Sequence, residues 1–278
     1  YLTWHFYELP SHPKRLAEAE LLVVEDNLVN QEVAMAMLER IGCHATLAAS
    51  GDEALSLCER RRFDLVLMDI QMPDLDGREV TRRLRAQGGW CAEVPVLAMT
   101  AGGGSHDQGD CVEAGMNGYL TKPLLMRTLM VALQRHLVGE PTQPLPGQDA
   151  SLESNSPLLH YDTLTALRDT LGLKRTQMLV DLYREQVLAR VPDMEMALKR
   201  RRGDELERLA HQLKGESAGV GAGSAAAAAA ELEVSARERR FDDAKRSLGQ
   251  LRLTLEKTRL AFDRFFIDDD TVVDTNAL

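Results

Sequence analysis

Cysteine is scarce in this 278-residue sequence, and its spacing suits neither cross-linking nor zinc binding. The four cysteines, Cys43, Cys58, Cys91 and Cys111, lie far apart and include no C-x-x-C pair. A disulfide framework or a structural zinc site requires closer, patterned spacing, so the sequence argues against both. Isolated thiols of this kind are typical of a reducing compartment.

Long apolar runs and an excess of basic charge are also missing. No run reaches the roughly 18 residues of a membrane span, and no signal peptide is visible. The 43 Asp and Glu outnumber the 33 Lys and Arg, which gives a formal net charge of −10. Nucleic-acid binders usually carry a basic face, so we expect no nucleic-acid partner. We expect a cytoplasmic location; where a parent protein is anchored in the inner membrane, this part would lie on the cytoplasmic side.

The sequence contains two different patterns of apolar residues, and the first pattern covers residues 20–138. Short apolar runs alternate there with amphipathic stretches. Continuous apolar strands separated by helices predict a parallel sheet covered on both faces, here a doubly wound α/β domain of five strands. The apolar runs are 21–24, 45–49, 64–68, 95–99 and 118–120.

The second pattern has helical spacing and follows a polar segment. Residues 139–157 are rich in proline, glycine and serine, which predicts a linker. From 158 to 267, leucine and methionine recur at helical spacing without strand-like alternation, so we predict an all-α four-helix bundle. Residues 268–278 begin with three aspartates and are expected to form a frayed acidic tail.

Acidic residues lie at the ends of two predicted strands. Glu25 and Asp26 follow strand one, and Asp69 follows strand three. Ligands of an open parallel sheet bind beyond the carboxyl ends of its strands, and strands one and three are neighbours in the doubly wound order 2-1-3-4-5. Three carboxylates at such close range repel one another unless a cation lies between them. The pattern therefore predicts a site for a hard divalent ion such as Mg²⁺.

Two further polar residues, Thr100 and Lys122, follow strands four and five at the same edge. A hydroxyl and an ammonium beside a metal-bound carboxylate favour phosphoryl transfer, with Asp69 as the nucleophile and Lys122 neutralising phosphoryl oxygens. Each residue taken alone is also explained as a loop residue or a helix cap. Their recurrence at successive strand ends favours a shared site.

Four segments of this half resemble a response-regulator receiver domain: LLVVEDNLVNQ, DLVLMDIQMPDLDG, VLAMTA and AGMNGYLTKP. The resemblance implies that Asp69 accepts a phosphoryl group and that the peptide before Pro123 is cis. It also implies metal ligation by Glu25, Asp26, Asp69 and the backbone carbonyl of Gln71, a switch pair formed by Thr100 and Tyr119, and phosphate contact by Lys122. The glycines at 102–104 depart from the family pattern, and we expect them to loosen the start of the next helix.

The helical half contains the segment RLAHQLKGESAG at 208–219. Lys214 and Gly215 share a helix face with His211, although a lone helix histidine is most often simply packed or solvated. The run AHQLKGESAGVGA, followed by AELE, resembles the histidine phosphotransfer (HPt) domain. That resemblance implies His211 as a second phospho-acceptor in a phosphate environment of Lys214 and Gly215. Two departures are Glu216, expected to weaken phosphate affinity, and the alanines at 225–226, expected to loosen packing.

Together these resemblances imply the C-terminal part of a hybrid sensor histidine kinase. The chain begins at Tyr1, and TWHFYELP resembles the last strand of a kinase ATP-binding domain, so residues 1–19 are expected to be its remnant. No G-x-x-x-x-G-K-[ST] loop is present, and we expect this part to relay phosphate without consuming ATP. An upstream kinase domain would phosphorylate Asp69, which would pass the group to His211 and so to a downstream response regulator. A receiver-gated docking module, in which His211 transfers nothing, is the alternative.

Overall fold

A computed structural model describes the backbone of residues 16–73, 75–100, 105–138 and 157–274, and the side chains of these residues except 105–108 and 267–274. The chain divides into two compact units, with the division between Asp149 and Ala150. Most of the expected kinase remnant and linker, and the glycines at 102–104, lie outside the described residues.

The first unit contains a five-stranded parallel sheet in the order β2-β1-β3-β4-β5, which confirms the predicted doubly wound topology. Every residue of β3 and β4 is buried, as expected for strands that helices cover on both faces. The strands are β1 Glu20–Val24, β2 His44–Ala48, β3 Leu65–Asp69, β4 Val96–Thr100 and β5 Gly118–Thr121.

Helices connect these strands, and short polar side chains fix where several of the helices begin. Asn27 accepts a hydrogen bond from the Asn30 amide at 3.1 Å, and Ser50 and Asp76 cap their helices in the same way. The helices are α1 Leu28–Ile41, α2 Gly51–Arg60, α3 Gly77–Gln87, α4 Trp90–Glu93, α5 Ser105–Glu113 and α6 Met126–Leu133. A 3₁₀ turn at Leu16–Glu18 precedes β1, and a π-helical turn at Gln134–Val138 continues α6.

The described residues of the second unit form helices and no strands, as predicted. Its helices are α7 Tyr161–Leu171, α8 Leu173–Lys199, α9 Gly203–Gly219, α10 Gly223–Arg237 and α11 Phe241–Asp274. Contacts join α8 to α9, α9 to α10, α10 to α11 and α11 to α8, which closes a four-helix bundle. Helix α11 continues past residue 267, where we expected a frayed tail, because each residue added to an existing helix gains a hydrogen bond.

Small side chains let α10 approach its neighbours closely. Ala225, Ala226 and Ala229 are buried, and large apolar residues such as Leu232 and Phe262 complete the interior. The alanines that we expected to loosen the packing therefore belong to the core. None of the helices among the described residues is long and apolar enough to cross a membrane.

Candidate functional site

The predicted acidic cluster forms at the carboxyl edge of the sheet. Val24 pairs with Met68 in the register of β1 and β3, so the residues that follow them, Glu25 and Asp69, are brought side by side. One carboxylate oxygen from each of Glu25, Asp26 and Asp69 lies within 4.8 Å of the other two. Glu25 and Asp69 are buried and Asp26 is half-buried. The sheet thus gathers the three carboxylates predicted to share a cation.

Lys122 reaches into this cluster from the end of β5. Its Nζ lies 2.6 Å from Glu25 Oε2 and 2.9 Å from Asp69 Oδ2. Burial raises the pKa of Glu25 to about 8; Lys122 opposes that rise and Asp69 adds to it. Burial alone would lower the pKa of Lys122, but the Asp69 and Glu25 carboxylates outweigh it and raise that pKa. The raised pKa keeps Lys122 charged at neutral pH beside Asp69 and Glu25.

Amide side chains of α1 hold Glu25 in place. Asn30 Nδ2 donates to Glu25 Oε1 at 2.9 Å, and Gln31 Nε2 donates to the Glu25 backbone carbonyl at 2.7 Å. Because Asn27 starts α1 immediately after the acidic pair, the helix presents both amides to the strand end. No role of Asn30 or Gln31 was predicted from the sequence, although both lie in the first of the four receiver-like segments.

The other predicted residues of this edge differ in exposure. The amide of Gln71 donates to Asp69 Oδ1 at 3.3 Å, which places its backbone beside the cluster. Thr100 is buried, and its carbonyl accepts a hydrogen bond from the Lys122 amide at 2.7 Å. Tyr119 is 40% exposed. The Lys122–Pro123 peptide is cis, as expected from the resemblance.

Gly77 is a site residue that was not predicted from the sequence. A Cβ added at this position would lie 2.0 Å from the backbone oxygen of Asp69. The Gly77 amide donates to the Ile70 carbonyl at 2.9 Å, so the start of α3 is tied to the segment that follows Asp69. Only glycine allows this approach, and the signal available in the sequence was the Asp-Gly pair at 76–77.

In the second unit, His211 lies on α9 and is paired with a glutamate of α10. Its Nδ1 lies 2.8 Å from Glu233 Oε1, and Lys214 Nζ donates to Glu233 Oε2 at 2.7 Å. The side chains of His211 and Lys214 are 16% and 15% exposed, and that of Glu233 is 7% exposed. His211 is neither sealed inside the bundle nor fully solvated, so its ring remains accessible from one side.

The charge of Glu233 determines which imidazole nitrogen is available. Burial alone would raise the pKa of Glu233, but hydrogen bonds from His211 and Lys214 outweigh it and lower that pKa to about 2. The carboxylate is therefore ionised near neutral pH and accepts hydrogen bonds only. Nδ1 of a neutral His211 must carry the proton, which leaves the Nε2 lone pair as the nucleophile. Glu233 is the last residue of the AELE segment and had been given no role.

The structure corrects the expectation for Glu216. Its side chain is fully buried and lies 2.5 Å from Arg190 of α8, so it belongs to the bundle interior and not to the accessible surface around His211. At Gly215, an added Cβ would meet nothing within 4 Å. The backbone next to His211 is thus open to an approaching molecule.

Comparisons with known proteins agree with this division. Residues 21–134 match the model of the response regulator receiver domain, and residues 178–261 match that of the Hpt domain. Sensor histidine kinase AruS of Pseudomonas aeruginosa is 34% identical over 224 residues, which cover 78% of this chain and 21% of that protein. Hybrid signal transduction histidine kinase K of Dictyostelium discoideum is 36% identical over 121 residues, 41% of this chain and 10% of that protein.

A solved structure, the receiver domain of sensor histidine kinase PA1611 from Pseudomonas aeruginosa PAO1 with a magnesium ion in its active site cleft, is 44% identical. It covers 44% of this chain and 99% of its own, with a TM-score of 0.41. The chain spans only 10% to 21% of the length of the curated relatives described above.

Proposed function

Because the chain contains a response regulator receiver domain at residues 21–134 followed by an Hpt domain at 178–261, we propose that it is the phosphorelay module of a hybrid sensor histidine kinase. Asp69 accepts a phosphoryl group from a kinase histidine and passes it to His211. His211 then passes it to a downstream response regulator. Two observations carry this proposal. One unit contains three clustered carboxylates that could hold a cation. The other contains an imidazole whose Nδ1 lies 2.8 Å from a carboxylate oxygen.

The acidic pocket suits Mg²⁺. Three carboxylates cluster there beside a single lysine. Burial is the main cause that raises the pKa of Glu25 to about 8, and a bound cation would favour its ionised form. Oxygen ligands of this kind are those that Mg²⁺ prefers. Glu25, Asp26, Asp69 and the backbone carbonyl of Gln71 would hold the ion. When bound, it would neutralise charge on the phosphoryl group.

In the first transfer, an Asp69 carboxylate oxygen attacks the phosphorus of the donor. The new P–O bond forms as the donor P–N bond breaks, and the electron pair returns to the donor imidazole. Lys122 already contacts Asp69 at 2.9 Å, so its ammonium is placed to pair with a phosphoryl oxygen. The buried Thr100 hydroxyl contacts the phosphoryl group, and with Tyr119 it forms the pair that responds to phosphorylation.

In the second transfer, His211 Nε2 attacks the phosphorus of phospho-Asp69. The P–N bond forms, the P–O bond breaks, and its electron pair returns to the Asp69 carboxylate. The ring gains positive charge, which Glu233 stabilises through the Nδ1 hydrogen bond at 2.8 Å. Lys214 is positioned to contact the phosphoryl oxygens, and the open space at Gly215 admits the donor domain.

We place the receiver domain at 20–138, the linker at 139–157 and the HPt domain at 158–267, with residues 1–19 and 268–278 outside both. The upstream partner is a histidine kinase domain acting in cis or in trans, and the downstream partner is a receiver of a separate response regulator. A parent protein anchored in the inner membrane would hold this module on the cytoplasmic side.

The deciding experiment is transfer of a radiolabelled phosphoryl group from a phosphorylated kinase domain to the wild-type chain, Asp69→Asn and His211→Gln. The relay requires no label on Asp69→Asn, and only base-labile acyl phosphate on His211→Gln. Acid-labile phosphohistidine should appear only when both residues are present. A docking module would give the same label on His211→Gln as on the wild type, and full passage to a response regulator from His211→Gln would refute the relay.

A further inference from the structure

One carboxylate oxygen next to His211 is shared between two donors. Glu233 Oε1 lies 2.8 Å from His211 Nδ1 and accepts a hydrogen bond from Arg237 Nη2 at 3.1 Å. Arg237 also donates through Nε to Glu207 Oε1 at 2.7 Å. Glu207 lies one helical turn before His211 on α9, so Arg237 joins the two helices at the level of the imidazole.

Charges of both signs surround the ring. Among the described residues, Glu207, Arg208 and Lys214 lie near it on α9, and Glu233 and Arg237 face it from α10. On α8, Arg190 is paired with the buried Glu216 of α9. Removal of Arg237 would leave two glutamates beside the ring with one fewer cation to balance them.

A carboxylate partner has two opposed effects on an attacking imidazole. It fixes the proton on Nδ1 and thereby aims the Nε2 lone pair outward. It also favours the doubly protonated ring, in which Nε2 carries a proton and cannot attack. A cation on the same carboxylate oxygen preserves the first effect and weakens the second.

We propose that Arg237 is a positioning residue for phosphotransfer at His211, which keeps Glu233 oriented while limiting the protonation of Nε2. This inference rests on the proposed function of His211 but concerns a different residue and a separate measurement. Arg237 acts through Glu233 and does not itself touch the transferred group. Its side chain is 57% exposed, so its influence on the ring is moderated by solvent.

The test is titration of the His211 imidazole in the full chain by ¹⁵N NMR, which reports both protonation and tautomer without any phosphoryl donor. In Arg237→Gln, the midpoint pH of ring protonation should rise by about 0.3 relative to the wild type. Transfer to His211 at a pH well below that midpoint should fall by a factor of about two, with little change well above it. Arg237→Lys should restore most of both effects.

Arg252→Gln is the matched control, because Arg252 is an exposed arginine of α11 whose partner is Glu195 of α8. Its titration should coincide with that of the wild type. A midpoint that stays unchanged or falls in Arg237→Gln would overturn the inference even if the relay operates. Failure of the proposed function would be seen in a different measurement. The phosphoryl group would then reach the response regulator without His211, whatever the titration shows.

Discussion

A side chain at position 77 would collide with the backbone of Asp69, because a Cβ at Gly77 would lie 2.0 Å from the Asp69 carbonyl oxygen. The start of α3 therefore constrains the residue proposed to accept the phosphoryl group. A glycine that looks like ordinary turn chemistry in the sequence is in fact a packing requirement of the site.

Gly77→Ala should displace the segment around Asp69, since a backbone atom cannot move aside as a flexible side chain can. We expect a loss of about 1–3 kcal/mol in the free energy of unfolding of the first unit and slower labelling by a small-molecule phosphoryl donor. Urea unfolding followed by tryptophan fluorescence suits the measurement, because Trp90 packs against the core of that unit. Gly109→Ala in α5, where an added Cβ meets nothing within 4 Å, should not be destabilised; equal losses in the two variants would contradict the packing argument.

Magnesium should stabilise the first unit through the acidic cluster. A ligand that binds only the folded state at 100 times its Kd adds about 2.7 kcal/mol of stability, so the melting temperature should rise with Mg²⁺ concentration. Asp26→Asn should reduce this rise, because it removes one of the three clustered carboxylates. Glu59→Gln, at an exposed position near the end of α2, should retain it. An identical Mg²⁺ response in Asp26→Asn and wild type would rule out the proposed ligand set.

Glu233 should make the stability of the bundle depend on acid pH. The pKa of Glu233 is lowered from 4.5 to about 2, so the folded state binds this proton less readily than the unfolded state. The resulting stabilisation is fully present above pH 4.5 and is lost as pH falls towards 2. Glu233→Gln should therefore cost about 2 kcal/mol at neutral pH and almost nothing near pH 2, as measured by urea unfolding followed by far-UV circular dichroism. A deficit that is independent of pH would show that the carboxylate charge is not responsible.

Replacing only one partner of the buried ion pair between Arg190 and Glu216 should destabilise the bundle. Glu216→Ala leaves the guanidinium of Arg190 uncompensated and should destabilise the bundle by about 3–5 kcal/mol. The double change Arg190→Met with Glu216→Leu removes both charges and should recover most of that loss. Amide hydrogen exchange in α8 and α9 would measure both variants; a double variant no better than the single one would mean that shape, and not charge, dominates there.

Much of the fold and of the first site could be predicted from the sequence, for a local reason. Apolar runs of strand length lie at regular intervals, and the acidic and basic residues that follow them mark one edge of a parallel sheet. Four residues of the site could be identified because each lies at the end of a strand, and the pattern of apolar residues predicts where a strand ends. They are Glu25, Asp26, Asp69 and Lys122. The helices of the second half could likewise be predicted from the spacing of its leucines.

The sequence by itself determined the two-part architecture, the carboxylates at the strand ends and the histidine that stands out on α9. Only the tertiary structure decided that Glu233, 22 residues away on α10, fixes the proton on His211, that Glu216 faces Arg190 inside the bundle, and that Gly77 packs against Asp69. Periodicity within one helix or strand assigns a residue to a face of that element. Which side chain of another element lies opposite depends on how the elements pack, and no local pattern records that.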